Sequence, residues 1–319
     1  MIRSAARQDA APPHGVMFHH FRGEGHADGQ GAITGQQLAD MLDWLGPDRF
    51  LSPQDWTERA LAGRLGPDDL CLTFDDALLC QSEIAAPVLK AYGLTGFWFV
   101  YSSVLEGRSE RLELYRHFRS TRFGDVDEFY AAFQARLERS DHGAEARAAL
   151  SDFQAERYLA QFDFYTDADR RFRFLRDRVL GPARYEALMD ALMDEDDGFD
   201  LEQAAARLWM TEDHLLDLRD QGHVIGLHSY SHPTDLAALD EARQRDEYRR
   251  NHAHLTGLLG AAPTVMSHPC NAYDARTLKV LGELGIVMGF RSNLHDCGGG
   301  PLELPREDHG RIARQMGLL

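Results

Sequence analysis

Seven short apolar runs punctuate the chain: 14–19, 70–74, 96–100, 224–227, 264–267, 285–290 and 302–304. Each has the length of a β-strand and is rich in β-branched, aromatic or other apolar residues. Between several of them the apolar positions switch to helical spacing. Leu38, Met41, Leu42 and Leu45 form one such stripe, Ile84, Val88 and Leu89 a second, Leu215 and Leu218 a third, and Leu278, Leu281 and Leu284 a fourth. Strands alternating with amphipathic helices predict repeated βα units, hence an α/β protein with a mostly parallel sheet or barrel covered by helices. Helix ends fit this reading: Thr211 is the expected N-cap of the segment that follows it, and Gly222 and Gly285 are the expected residues just past two helix ends.

The alternation stops between about Glu106 and Arg207. This lysine-free stretch, rich in Arg, Ala, Phe, Glu and Asp and without proline before Pro182, predicts a helical insertion, residues 106–207, within a single domain spanning residues 1–319. Its aromatic positions, Phe129, Tyr130, Phe133, Phe153, Tyr158, Phe162 and Phe164, are expected to form a helical core, with a lid over a site as the alternative.

Composition narrows the function. The 34 basic and 51 acidic residues leave a formal charge of −17, which repels a phosphate backbone and an anionic membrane surface and argues against a nucleic-acid partner. Lysine occurs only at Lys90 and Lys279, so no Gly-Lys-Ser/Thr phosphate loop exists. Cys71, Cys80, Cys270 and Cys297 lack Cys-x-x-Cys spacing and are expected to be reduced thiols. No apolar window is long enough to span a bilayer, and the first nine residues lack the apolar region of a secretory signal, so the expected compartment is cytoplasmic.

In parallel barrels, catalytic groups come from the carboxyl ends of the strands. Here those ends carry His19 and His20, Asp75 and Asp76, Tyr101 and Ser102, His228, Ser267 and His268, Arg291, and finally Arg306, Asp308 and His309. Asp75 and Asp76 leave their strand on opposite sides of the pleat, so one can bind a cation while the other accepts a proton. His228 and His232 lie four residues apart directly after an apolar run, and with one of the two aspartates they make a ligand set of two imidazoles and one carboxylate.

Thr73-Phe74-Asp75-Asp76, followed far along the chain by His228-Ser229-Tyr230-Ser231-His232, resembles the polysaccharide deacetylase family, the NodB-homology carbohydrate esterases, over residues 14–312. The resemblance implies a distorted (β/α) barrel of about seven parallel strands and a metal-dependent hydrolase that removes acetyl groups from sugars. It makes Asp75 the general base and Asp76, His228 and His232 the metal ligands. Zinc is the expected ion, with cobalt, nickel, iron or manganese tolerating the same ligands. The family's third motif departs here: Ser267-His268-Pro269-Cys270-Asn271-Ala272-Tyr273 keeps the proline and lacks the arginine and glycine. Arg306 is expected to orient Asp75 instead. No clean copy of the family's late histidine motif occurs. His309 is therefore the first candidate for the proton donor, with His268 and His295 behind it, and His19, His20, His268 and Pro269 are expected to line the substrate cleft.

The expected substrate is an N-acetylated sugar, nucleotide- or lipid-linked. Two other readings stand beside it: a metal-dependent C–N hydrolase for a non-sugar amide or imide, which a substrate panel separates, and a catalytically silent glycan-binding barrel, against which the full metal set argues.

Overall fold

A computed structural model describes residues 11–108, 110–160, 165–295 and 299–318. Phe162, Phe164 and Cys297 lie outside the described residues. The chain divides into two compact units. One comprises the residues up to His26, Gly31–Glu110 and those from Arg207 on; the other comprises Ala27–Gln30 and Arg111–Ala206.

The first unit is built on seven parallel strands: β1 (His14–Phe18), β2 (Leu70–Asp75), β3 (Gly96–Val100), β4 (Val224–Leu227), β5 (Val265–Ser267), β6 (Met288–Phe290) and β7 (Arg306–Asp308). Their order is β6-β5-β4-β3-β2-β1-β7, all pairs parallel. Closure comes from the segment leading into β7. Leu304 bridges to Phe290 of β6, and two residues later Arg306 pairs with Gly15 of β1, so one stretch of chain joins both edges into a nearly closed barrel. The apolar run at 302–304 is therefore not the seventh strand itself. That strand is Arg-Glu-Asp, which hydropathy passes over, and Arg306 is buried within it because its charge has a partner inside the barrel.

The pleat decides which side chains face inward. Cys71, Phe97, Phe99, Val265, Met288 and Phe290 make one buried cluster with Trp56. Asp75, two and four residues beyond Thr73 and Cys71, continues that inner face at the carboxyl end of β2. The alternate residues Phe74 and Trp98 stack on each other at 4.2 Å on the outer face. Gly226 is required where β4 crosses Phe99: a Cβ there would lie 2.7 Å from the Phe99 ring and 2.8 Å from the Val265 carbonyl oxygen. Gly222 and Gly285 take positive φ, 90° and 80°, as the turns after their helices demand.

The second unit is helical: Arg111–Arg122, Val126–Glu138, Gly143–Ser151, Asp167–Phe174, Gly181–Asp194 and Leu201–Ala205. Phe129, Tyr130 and Phe133 are buried in its core with Phe118, Phe172 and Met189. Phe153 and Tyr158 pack on Phe174. Among the described residues, no helix is long and apolar enough to cross a membrane.

Candidate metal centre

At the carboxyl ends of β2 and β4 the structure brings Asp76, His228 and His232 together, with one ligand atom from each within 4.8 Å of the others. Nε2 of His228 and Nε2 of His232 each lie 3.4 Å from Oδ1 of Asp76. That oxygen is buried and accepts no hydrogen bond. A buried carboxylate oxygen without a donor is costly unless a cation supplies the missing partner. The donor set of one carboxylate oxygen and two imidazole nitrogens fits a divalent ion.

His228 is set up for this role by its other nitrogen. Nδ1 lies 3.0 Å from the Ser267 carbonyl oxygen, which can only accept, so the proton sits on Nδ1 and the lone pair of a neutral ring points from Nε2 toward Asp76. Burial opposes ionisation of Asp76, yet His232, His228 and His19 outweigh it and hold that carboxyl far below the ordinary carboxylate range. Burial lowers His228, and Asp75 and Asp76 together draw it above its ordinary value. The two carboxylates thus favour positive charge in the space between them.

Asp75 is held separately. Arg306, fully buried, donates from Nη1 to Oδ1 at 2.7 Å and from Nη2 to Oδ2 at 2.8 Å, and its Nε donates to the Arg291 carbonyl at 2.8 Å. Ser267 Oγ adds a contact to Oδ1 at 3.2 Å. Burial would raise the Asp75 carboxyl, but the Arg306 charge, with His228 behind it, keeps it below the usual carboxylate range. Thr73 Oγ1 also accepts from Arg306 and donates to the Val16 carbonyl, tying the fork to β1.

The loops that present these groups are bent into the left-handed region. Asp76 and Ala77 have φ of 77° and 52°, Ser229 and His232 of 62° and 53°, and Cys270 and Asn271 of 50° and 56°. Six non-glycine residues in that region at the mouth of one barrel hold strain of about 1–3 kcal/mol each, which the surrounding contacts must offset.

The other residues singled out in the sequence divide by the pleat. His19 reaches the site: its Nε2 is 3.9 Å from Oδ2 of both Asp75 and Asp76, and its side chain is 27% exposed. His20 stacks beside it. His309 does not reach it. It stacks on Phe18, itself stacked on Phe74, and so belongs to the outer face, with Nδ1 at the Met17 carbonyl and Nε2 at the Gly31 carbonyl. His268 is likewise outward, because Ser267 before it points in. It stacks on Tyr273 at 3.9 Å, its Nε2 meets the Leu302 carbonyl, and burial pushes it down to about 3. Pro269 is buried behind it, and His295 is exposed.

Two more residues complete the site: Ser267, one of the polar strand ends, and Gln81, for which the sequence carries no signal. Ser267 bridges Asp75 and His228. Gln81, fully buried, donates from Nε2 to the carbonyls of His19 at 2.8 Å and Asp75 at 2.6 Å, clamping the ends of β1 and β2.

Residues 196–289 match the family model described as polysaccharide deacetylase; the match carries His228 and His232 and does not extend back to Asp75 and Asp76. Among curated proteins, none matches the sequence. Three solved structures share the fold. The deacetylase PplD of Streptococcus pyogenes, solved in complex with acetate, is 14% identical over 93% of this chain and 92% of its own, with a TM-score of 0.53. IcaB from Ammonifex degensii is 17% identical over 97% and 98%, with a TM-score of 0.53. A de-N-acetylase from Aggregatibacter actinomycetemcomitans is 13% identical over 92% and 93%, with a TM-score of 0.54. Over residues 196–289, which hold the histidine motif, the chain is thus similar to the polysaccharide deacetylase family, and its barrel shares the fold of these solved structures.

Proposed function

We propose that this chain is a metal-dependent hydrolase that removes an acetyl group, N-linked in the preferred reading, from a sugar or glycan precursor. The observation that carries the reading is the orphaned Oδ1 of Asp76 between two imidazole nitrogens, with a second, separately anchored carboxylate alongside. Asp76, His228 and His232 would hold the ion. A divalent ion there, zinc being the expected one, supplies Lewis-acid chemistry toward an acyl carbonyl and makes water acidic enough to attack it.

The chain's own residues account for the protons. Asp75 is the general base: its Oδ2 faces His19 and His228 at 3.9 Å, and Arg306 fixes its orientation and keeps it anionic. Attack forms the new C–O bond at the acyl carbon, and the water proton passes to Asp75. The C–N bond then breaks with a proton delivered to the nitrogen, giving acetate and an amine. His309 is turned away from the site, so we assign that delivery to His19, the imidazole that stands at the mouth beside both carboxylates. Substrates worth trying first are N-acetylated oligosaccharides and nucleotide- or lipid-linked N-acetyl sugars, with O-acetylated sugars and small amides as comparisons.

The test is acetate release from that panel by wild-type protein loaded with zinc or cobalt, beside Asp75→Asn and His19→Gln. Turnover of an N-acetyl sugar, abolished in the first variant and shifted in its alkaline pH limb in the second, is expected. Preferential turnover of small amides would move the assignment to a non-sugar C–N hydrolase. Metal binding without turnover of any acyl compound, or failure to bind any metal, would overturn the reading in favour of a silent glycan-binding barrel.

A further inference from the structure

The turn that presents His232 is held from outside the barrel by a helix that contributes no metal ligand. Helix Glu241–Leu259 places Glu247 and Asn251 four residues apart on one face. Oε2 of Glu247 accepts from the backbone N–H groups of both Tyr230 and Ser231, at 3.0 and 2.8 Å, and Oε1 accepts from Ser231 Oγ at 2.7 Å. Successive N–H groups beside a left-handed residue, here Ser229, form a concavity that binds an anion, and the carboxylate of Glu247 fills it. One residue on, the His232 N–H donates to Ser229 Oγ at 3.1 Å, and the Tyr230 carbonyl accepts from Ser103 N–H at 2.9 Å. Asn251, fully buried, accepts at Oδ1 from the His228 N–H at 3.1 Å and donates from Nδ2 to the Val100 carbonyl at 3.0 Å and Ser102 Oγ at 2.9 Å.

These contacts divide the work. Asn251 ties the end of β4, where His228 sits, to the end of β3. Glu247 binds the backbone of the strained turn between the two histidines, while Arg250 of the same helix lies over the Tyr230 ring. His232 itself has φ of 53°, a conformation that an imidazole-bearing residue holds only when its surroundings impose it. Remove the anion from the concavity and the two N–H groups lose their acceptor, the turn relaxes, and Nε2 of His232 leaves its place 3.4 Å from Asp76.

We propose that Glu247 is a positioning residue for the metal centre: through the Tyr230–Ser231 backbone it holds His232 in ligating geometry, so that metal affinity depends on a hydrogen-bond acceptor carried by the neighbouring helix. This inference rests on the metal-site reading above. The experiment is titration of purified, chelator-stripped protein with Co2+ alone, followed by its visible absorption, with Zn2+ competition to obtain affinities. It compares wild type, Glu247→Ala, Glu247→Asp and Glu247→Gln, with His232→Ala as reference. The alanine and aspartate variants, the latter one methylene too short to reach the turn, are expected to bind about 10–100-fold more weakly, with a changed cobalt spectrum. Glutamine keeps an oxygen for the two N–H groups and an amide for Ser231 Oγ, and is expected to recover most of the affinity. Circular dichroism of the metal-free proteins identifies a variant that fails to fold; the aspartate and glutamine variants then carry the comparison. Wild-type affinity and spectrum in folded Glu247→Asp or Glu247→Ala would overturn the positioning role while leaving the metal site intact. Wild-type protein that binds no better than His232→Ala would instead overturn the metal-site reading beneath it.

Discussion

Replacing Arg306 by methionine removes a charge from the most enclosed ion pair of the barrel and leaves a carboxylate behind. Arg306 is fully buried and Asp75 nearly so, and two hydrogen bonds of 2.7 and 2.8 Å join them. Each charge-assisted bond is worth about 1.5–3 kcal/mol, and a buried charge stripped of its partner destabilises by about 3–5 kcal/mol. Ser267 Oγ remains as a donor to Asp75 and softens the loss. Arg306→Met is therefore expected to lower the unfolding free energy of the barrel by about 3 kcal/mol. Asp75→Asn, which leaves the guanidinium facing a neutral amide, should cost less, and the double variant should recover at least about 1.5 kcal/mol relative to the sum of the singles. Urea denaturation of metal-free protein followed by tryptophan fluorescence is suited to the question, because Trp44, Trp56, Trp98 and Trp209 all belong to the barrel unit and none to the helical one. A loss below about 1 kcal/mol in Arg306→Met, or additivity across the cycle, would refute the claim that this pair holds Asp75.

Three further outcomes are expected. Elemental analysis should find about one divalent ion per wild-type chain after loading and none in His232→Ala or Asp76→Asn; equal metal in all three would place the ion elsewhere. Stability should fall with acid through His223. Burial pushes this ring down to about 4, and its Nδ1 accepts from the Gly96 N–H at 3.0 Å, which a doubly protonated ring cannot do. The folded pKa lies below the unfolded one, so the unfolded chain takes up the proton first, and the contribution present above about pH 6.5 is lost as the pH falls toward 4. Between pH 7 and 4.5, wild type should lose about 2–3 kcal/mol more than His223→Gln in urea titrations; parallel profiles would contradict this. Gly226→Ala should cost about 1–3 kcal/mol, because its methyl group meets the Phe99 ring and the Val265 carbonyl at less than 3.0 Å and the strand cannot yield without opening the barrel; an unchanged urea midpoint would mean that β4 moves freely.

Local pattern and spacing alone determined much of this protein. Apolar runs of strand length alternating with helical stripes defined the α/β architecture, and six of the seven runs contain a strand. Adjacent aspartates at one strand end and two histidines four apart after another pointed to the candidate ligand cluster that the structure brings together, because ligand chemistry restricts which residue types can serve. What the pattern could not carry is parity and register. Whether a polar residue at a strand end faces the barrel or the covering helices depends on the pleat, and a shift of one residue reverses it. His309 and His268 fell on the outer face for that reason, while His19 and Ser267 fell inside. The pairing of Arg306 with Asp75 and of Glu247 with the His232 turn joins positions far apart in sequence, and β7 is polar, so periodicity leaves no mark of either. Those relations exist only once the strands have paired, since hydrogen-bond register across the barrel, rather than any local preference, brings the partners within reach.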